Sequence, residues 1–274
     1  MPNRPTTVYH PSSVQEVQTI LRNVAGVSVV AGCTEIARRQ TSRALFLPAH
    51  VVALSQVEEL RAISKTERYL EFGASVTLGE ILALGKKNLP EVLHEALSRA
   101  ANPGVRALAT IGGNVCASDR RLSLFAPLIA LDAKIEVRTQ AESTWVSLAR
   151  YAGPGMTPEF VSKVRVPTDS WDVTRYRRLG REGIVSSETA HFVFLAKSQK
   201  NILSDIRIAY ADERFFRRRE YENLMIGRSL PLSEKDIVNL MDKAELFVGK
   251  DAFPPSFRRS RMMNLLRDAL GELT

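Results

Sequence analysis

Two short segments bring glycine together with hydroxyl, amide and thiol side chains. The first reads VVAGCTEI over residues 29–36, and the second reads TIGGNVCAS over residues 110–118. Each follows a short β-like run, so we expect glycine turns in which the backbone can approach another group closely. Successive N–H groups in such turns can hold an anion, and Thr34, Thr110, Asn114 and Ser118 add side-chain donors. Taken alone, each segment is more typical of a β-turn without a ligand, and the two together do not establish a cofactor site.

The spacing excludes the commonest nucleotide motifs and metal sites. Neither segment has the GxGxxG or GxxxxGK[ST] pattern of dinucleotide or P-loop sites. The two cysteines, Cys33 and Cys116, form no CxxC pair and cannot by themselves hold zinc or an iron–sulfur cluster. Two small buried thiols are favoured over a disulfide or redox pair, and the four histidines show no metal-ligand spacing. Glu35 has the chemistry of a base, but backbone contacts in this loop are favoured, and no catalytic residue is predicted.

The chain has 274 residues and a formal net charge of +8. Basic residues cluster in RYRRLGR (175–181), RFFRRRE (214–220) and FRRSR (257–261). Nucleic acid attracts such clusters, but no nucleic-acid-binding motif accompanies them, and acidic residues are interspersed. A solvated face or a docking surface for an acidic partner is favoured over nucleic acid. No apolar run suggests a membrane span or a signal peptide, and cytoplasmic localisation is expected.

Apolar periodicity and cap residues predict a mixed α+β chain. Helices are expected at the following segments: HPSSVQEVQTILRN with Ser13 as cap, TLGEILAL, PEVLHEALSRAA, LFAPLIAL, SEKDIVNLMDKAEL with Ser233 as cap, and RSRMMNLLRDAL. Strands are expected at GVSVVAG, HVVALSQV, a charged hairpin within residues 58–77, DAKIEVRT, FVSKVRVP, ETAHFVFLAKS and LSDIRIAYAD. The break in pattern at PTDSWD predicts a domain boundary between Pro167 and Asp172.

Several segments, in order, resemble the FAD-binding subunit of the molybdenum hydroxylases, the family of xanthine and carbon monoxide dehydrogenases. These segments are VVAGCTEI, LEFGASVTLGEI, NPGVRALATIGGNVCAS, PLIALDAKIEV, VRVP, YRRLGRE and IRIAYADERFFRRREYENLMIGRSL. Together they cover nearly the whole chain. Several motifs in the right order are far more specific than any one of them.

The resemblance implies the FAD-binding fold of the vanillyl-alcohol-oxidase/p-cresol-methylhydroxylase flavoproteins. Its two α+β subdomains would be residues 1–55 and 56–169, and a C-terminal α+β domain would be residues 170–274. Backbone amides at Gly112 and Gly113 would meet the FAD diphosphate, with positive φ expected at Gly113. The residues implied at the cofactor are Val30, Ala31, Gly32, Cys33, Thr34, Glu35, Ile36, Thr110, Ile111, Gly112, Gly113, Asn114, Val161 beside the adenine or flavin, and Arg178 near the isoalloxazine.

At one position where the family pattern has an acidic residue, this chain has a different residue. The family's aspartate, which anchors the ribitol or ribose, aligns without gaps with Ser123, and the family's serine aligns with Asp119. Either Asp119 supplies the carboxylate from a shifted loop, or that acceptor is lost and Ser123 bonds more weakly. The competing interpretation is that Asp119 pairs with Arg120 and Arg121 at the surface.

The resemblance also implies the function. The chain would bind FAD non-covalently and pass electrons from iron–sulfur centres to an external acceptor. Its partners would be an iron–sulfur subunit and a molybdopterin subunit, and neither nucleic acid nor a membrane is expected. The alternative is a flavin-less subunit of the same complex that serves assembly. A weaker third hypothesis is a basic nucleic-acid-binding protein.

Overall fold

The computed structural model describes residues 5–40, 47–151, 153, 159–249 and 257–274. The chain forms two compact units that alternate along the sequence. The first contains Met1–Leu89, Ala100–Ser118 and Asp132–Thr168, and the second contains Pro90–Arg99, Asp119–Leu131 and Asp169–Thr274. The assignment of residues 1–55, 56–169 and 170–274 to three domains stays a prediction.

Strands and helices are numbered here in chain order. The strands are β1 Thr7–Tyr9, β2 Ser28–Val30, β3 His50–Ala53, β4 Ile63–Lys65, β5 Tyr69–Gly73, β6 Lys134–Arg138, β7 Ser143–Ser147, β8 Phe160–Pro167, β9 Val173–Leu179, β10 Ala190–Gln199, β11 Ile202–Ala211 and β12 Phe215–Phe216. The helices are α1 Val14–Asn23, α2 Thr34–Arg39, α3 Leu78–Ala83, α4 Glu91–Ser98, α5 Pro103–Arg106, α6 Ile111–Cys116, α7 Phe125–Ala130, α8 Arg219–Asn223, α9 Glu234–Val248 and α10 Phe257–Gly271.

A small parallel sheet of order β1-β3-β2 begins the first unit. Helix α1 starts as predicted at Ser13, whose hydroxyl accepts a hydrogen bond from the Glu16 N–H. Its buried residues Val17 and Leu21 pack in one apolar cluster with Val52 of β3. The predicted strands at β2 and β3 are confirmed, whereas β1 and α2 were not predicted.

An antiparallel sheet of order β4-β5-β8-β6-β7 completes the first unit. Because side chains alternate between the two faces of a strand, Ile135 and Val164 lie on its buried face. Helix α6 packs against β5 and β8. The charged hairpin predicted from the sequence is the β4–β5 pair. This sheet is therefore the surface on which α6, the helix formed by the second glycine segment, packs.

The second unit contains a four-stranded antiparallel sheet of order β12-β11-β10-β9. Helices α9 and α10 pack on one face, where Phe192, Phe194 and Ile208 join Leu240 and Leu266 in a single core. Helix α4 packs against β9, and α7 packs against β10 and β11. The predicted strands at β10 and β11 and the helix capped by Ser233 are confirmed.

A buried histidine connects this sheet to the segment before α7. His191 has no exposed surface, and its Nε2 lies 2.8 Å from the carbonyl oxygen of Arg121. A carbonyl only accepts, so Nε2 carries the proton, and the neutral Nδ1 accepts from the Tyr176 hydroxyl at 2.8 Å. Burial lowers the pKa of His191 from 6.5 to about 4, with the nearby Arg178 charge acting in the same direction.

We expect this histidine to make stability depend on pH. The unfolded chain takes up the proton near pH 6.5 and the folded chain only near pH 4. The contribution is therefore complete above about pH 6.5 and is lost as the pH falls towards 4, with a magnitude of roughly 3 kcal/mol. Urea unfolding between pH 7 and 4 measures it. His191→Gln should flatten the profile, whereas His10→Gln at an exposed site should not. An unchanged slope in His191→Gln would contradict the assignment.

Candidate functional site

The first glycine segment turns from β2 into α2 at a point of close backbone contact. A Cβ on Gly32 would lie 1.8 Å from the carbonyl oxygen of Leu108, so only glycine fits there. The next residue, Cys33, has φ of 55° and precedes α2 without a side-chain cap. Its thiol is free but exposed, so the expectation that both thiols are buried is wrong. This contact places residues 31–36 directly beside the chain that leads into the second segment.

The second glycine segment is a helix and not the turn expected from the sequence. Gly112 and Gly113 lie within α6, neither has a positive φ, and the expectation of positive φ at Gly113 is wrong. The preceding β-like run is only an isolated bridge between Thr110 and Thr77. The Thr110 hydroxyl caps the helix by accepting from the Gly113 N–H at 3.1 Å. A side-chain cap and tertiary contacts thus outweigh the low helix propensity of two glycines.

The absence of a side chain has a different consequence at each of the two adjacent glycines. The Gly112 N–H donates to the Ala74 carbonyl at 2.9 Å, and a Cβ on Gly112 would lie 2.6 Å from the Ala74 Cβ. A Cβ on Gly113 would meet only the Thr110 hydroxyl oxygen, at 3.1 Å. Gly112 therefore serves packing within the protein, while Gly113 leaves open space in front of it. Both N–H groups already have acceptors within the protein, Ala74 and Thr110, so the structure does not support the expectation that these two amides meet the FAD diphosphate.

A cavity of about 500 Å³ within the first unit joins the two segments. This volume falls in the range of small-molecule sites. Five of the residues implied by the resemblance line it: Val30, Ala31, Gly112, Gly113 and Val161. The other lining residues are Leu21, Gly26, Val27, Ser28, Val29, Leu54, Ala74, Cys116, Tyr151, Glu159 and Phe160.

Tyr151 and Glu159 are cavity residues that sequence reasoning missed. The Tyr151 hydroxyl donates to Glu159 at 3.4 Å, and Tyr151 is 8% exposed. Burial, together with Cys116 and Glu159 close by, raises the pKa of Tyr151, so the phenol stays neutral. No local motif marks these residues. Tyr151 follows β7 and Glu159 directly precedes β8, so they come together at the cavity only when the sheet has formed.

Two polar features of the glycine segments follow lining residues closely in sequence: Asn114 comes directly after Gly113, and the first turn of α2 comes shortly after Ala31. The Oδ1 atom of Asn114 is buried and has no hydrogen-bond partner among the residues described. A buried acceptor without a partner costs free energy unless a ligand satisfies it. The first turn of α2 also lacks a side-chain cap, which leaves N–H groups of Thr34, Glu35 and Ile36 outside the intrahelical pattern.

Glu35 is held by ion pairs rather than by the backbone contacts expected from the sequence. Its carboxylate accepts from Arg38 at 2.7 Å and from Arg39 at 2.6 Å. Arg39 also donates to the Ser118 hydroxyl at 2.8 Å. Arg39 therefore connects α2 to the end of the second glycine segment, across 79 positions of sequence.

Three of the residues implied at the cofactor belong to the second unit and do not line the cavity: Asp119, Ser123 and Arg178. The Asp119 carboxylate is held at both oxygens by the Arg121 guanidinium, at 2.9 and 3.1 Å. Its side chain is only 6% exposed, so this pair is more buried than the surface pair considered from the sequence. Ser123 is 9% exposed.

Arg178 holds a loop of its own unit. Its guanidinium donates to the carbonyls of Gly180 at 3.1 Å, Arg181 at 2.6 Å and Ile184 at 2.6 Å. Three carbonyl contacts order the connection between β9 and β10. A role for Arg178 at the isoalloxazine stays a prediction.

Curated proteins similar to this chain are dehydrogenase components. The glyceraldehyde dehydrogenase medium chain of Sulfolobus acidocaldarius is 26% identical over 227 residues, which is 80% of each chain. The xanthine dehydrogenase FAD-binding subunit of Escherichia coli O157:H7 is 30% identical over 110 residues, 39% of this chain and 37% of that protein. The chain spans about a tenth of the xanthine dehydrogenase of Drosophila pseudoobscura pseudoobscura, with 29% identity over 142 residues.

Solved structures share the fold over essentially the full chain. Quinoline 2-oxidoreductase from Pseudomonas putida 86 gives a TM-score of 0.78 at 20% identity, covering 100% of this chain and 96% of that one. Carbon monoxide dehydrogenase from Hydrogenophaga pseudoflava gives 0.79 at 19% identity, covering 100% and 97%.

The family comparison covers more than half of the sequence. The family described as "FAD binding domain in molybdopterin dehydrogenase" matches residues 4–169, which include both glycine segments and Val161. No described helix is long and apolar enough to cross a membrane. The chain therefore belongs to the family of FAD-binding domains of molybdopterin dehydrogenases, and it is the FAD-binding component of an oxidoreductase.

Proposed function

We propose that the cavity of the first unit holds part of an FAD molecule between residues 30–36 and 110–114, with Val161 on its wall. The observation that carries this proposal is the cavity itself, since both glycine segments and Val161 of the matched family region meet there. When bound, FAD accepts electrons and delivers them to a second molecule. The chain's own residues bind and orient the cofactor and exclude water from it.

The residues present suit an extended nucleotide cofactor. Strand β2 and its two flanking residues, Val27 and Ala31, give the cavity a largely apolar wall. Gly113 has no side chain and leaves open space within the cavity. The buried Asn114 Oδ1 offers a hydrogen-bond acceptor without a partner among the described residues. The uncapped first turn of α2 provides N–H donors of the kind that suit phosphate oxygens. Among the residues that the structure describes, no lysine or arginine lines the cavity, so backbone donors carry most of the phosphate binding in this proposal.

The proposal also includes the source and the destination of the electrons, both of which lie outside this chain. We propose that electrons arrive from iron–sulfur centres of a partner subunit and leave to an external acceptor. A molybdopterin subunit carries the substrate chemistry. Support comes from the relatives' names, a medium chain of one dehydrogenase and an FAD-binding subunit of another. The division into two flavin subdomains of the vanillyl-alcohol-oxidase type and a C-terminal domain belongs to the same proposal.

Flavin analysis of the purified chain tests the proposal against the flavin-less assembly subunit. We expect about one FAD per chain after titration, with acid precipitation releasing FAD into the supernatant. Flavin retained in the pellet, or FMN alone in the supernatant, would contradict non-covalent FAD binding. A folded chain that binds no flavin during titration would favour the assembly subunit.

Substitutions at the two adjacent glycines separate cofactor binding from folding. Gly113→Val should weaken FAD binding at least tenfold and leave the thermal midpoint within a few degrees, because its side chain enters the cavity and meets only the Thr110 hydroxyl. Gly112→Val should instead lower the thermal midpoint strongly, because it overlaps Ala74. Gly271→Val, at a glycine with nothing within 4 Å, is the control. Stoichiometric flavin in Gly113→Val would remove Gly113 from the site.

The carboxylate of Asp119 provides a separate prediction. Both of its oxygens are engaged by Arg121, so we expect Asp119→Ala to leave the FAD dissociation constant within about twofold. The same substitution should reduce the free energy of unfolding, because it removes a charge-assisted pair of hydrogen bonds. Fluorescence titration with FAD and urea unfolding measure the two effects. A tenfold weaker affinity for FAD would assign the ribitol-anchoring role to Asp119.

A further inference from the structure

One face of the five-stranded sheet in the first unit carries an ordered set of aromatic and charged side chains. Strand register places these residues on the face opposite Ile135 and Val164. We call this set the aromatic–arginine face, and it consists of Tyr69, Glu71, Lys134, Glu136, Arg138, Trp145, Lys163 and Arg165. None of these residues takes part in the cofactor cavity.

Arg165 lies at the centre of the aromatic–arginine face and is fixed from three sides. Its guanidinium carbon is 4.3 Å from the ring centre of Tyr69 and 4.0 Å from that of Trp145. The Glu71 carboxylate, on the neighbouring strand, is 2.6 Å from its Nη2. Both rings and the arginine remain partly exposed. Tryptophan, tyrosine and arginine are the residues that contribute most to protein interfaces, and fixing them in advance lowers the entropy lost on binding.

The charge of this face is positive. Its described residues include four cations, Lys134, Arg138, Lys163 and Arg165, and two carboxylates, Glu71 and Glu136. Glu136 is 6% exposed and bonded to Ser162 and Arg138. Burial opposes ionisation of Glu136, but these two hydrogen bonds outweigh it, and its pKa is lowered. Glu136 is therefore buried, and Glu71 is partly buried and paired with Arg165, whereas Lys134 is exposed at the surface.

We propose that the aromatic–arginine face docks an acidic surface of a protein partner, namely another subunit of the dehydrogenase complex. The identity of the partner rests on the proposed function. Complementary charge recommends an acidic surface, since the outward groups are cations. A protein fits better than a nucleic acid, because Arg165 already covers one face of both rings and reduces the stacking surface for bases.

Carbodiimide cross-linking of the complex purified with its partner subunits tests this proposal. The reagent joins a lysine amine to a carboxylate only at direct ion pairs. We expect mass spectrometry to find Lys134 or Lys163 joined to an aspartate or glutamate of another polypeptide. Cross-links that exclude both lysines, at positions elsewhere on the chain, would overturn the proposal.

Charge-reversal variants provide the second arm. The double variant Lys134→Glu/Lys163→Glu should lower recovery of the partner subunits at least tenfold at physiological salt, with FAD content and thermal midpoint unchanged. Lys197→Glu/Lys235→Glu makes the same change of net charge at exposed positions of the second unit and should assemble normally.

Other outcomes are equally decisive. Normal assembly of Lys134→Glu/Lys163→Glu would overturn the proposal. If the same double variant also lost binding to a labelled oligothymidylate, the face would be assigned to nucleic acid instead. The two proposals can also fail separately. If the parent chain binds no FAD but assembles with its partner, and the double variant does not assemble, the flavin function is refuted and the docking surface stands.

Discussion

Two backbone contacts that leave no room for a Cβ atom determine the geometry around the proposed cofactor site. Gly32 lies against the Leu108 carbonyl, and Gly112 lies against Ala74. The first contact joins the β2–α2 connection to the chain before α6, and the second sets α6 against the residue that follows β5. Each contact relates segments far apart in sequence. The cavity between them exists only at this spacing, so the site depends on packing of the protein before it depends on any contact with the cofactor.

This constraint changes the meaning of the glycines in the sequence. The sequence alone assigns the same role to Gly112 and Gly113, because both follow a β-like run and both could free a backbone amide. The structure separates them, since the partner of Gly112 is Ala74 while Gly113 borders open space. The reason for a glycine is its neighbour in space, and that neighbour comes from another part of the chain. Only the tertiary structure distinguishes the two cases.

The successful sequence predictions share a local cause. Helices α1 and α9 begin at Ser13 and Ser233, where a cap and an apolar stripe agree, and both were predicted correctly. At α6 the sequence predicts a turn because glycines follow a β-like run, whereas the structure has a helix that depends on the cap at Thr110 and on packing against β5 and β8. Much of the fold thus follows from local signals. The site follows only in part, because Tyr151 and Glu159 reach it through the topology of the sheet.

The basic residues fall into two groups in the structure: those bonded to other groups of the protein and those exposed to solvent. In the second unit, arginines are directed to the protein itself: Arg178 binds three carbonyls of one loop, Arg121 binds Asp119, and Arg217 binds the buried Glu222 and the Ile129 carbonyl. Cations held in this way stabilise the fold and contribute little to an external phosphate backbone. On the aromatic–arginine face, by contrast, Glu136 is buried, Glu71 is paired with Arg165, and Lys134 is exposed to solvent. Arg178 and Arg217, one from each of two basic clusters, therefore serve internal order, and the smaller group on the first unit has the chemistry of an interface.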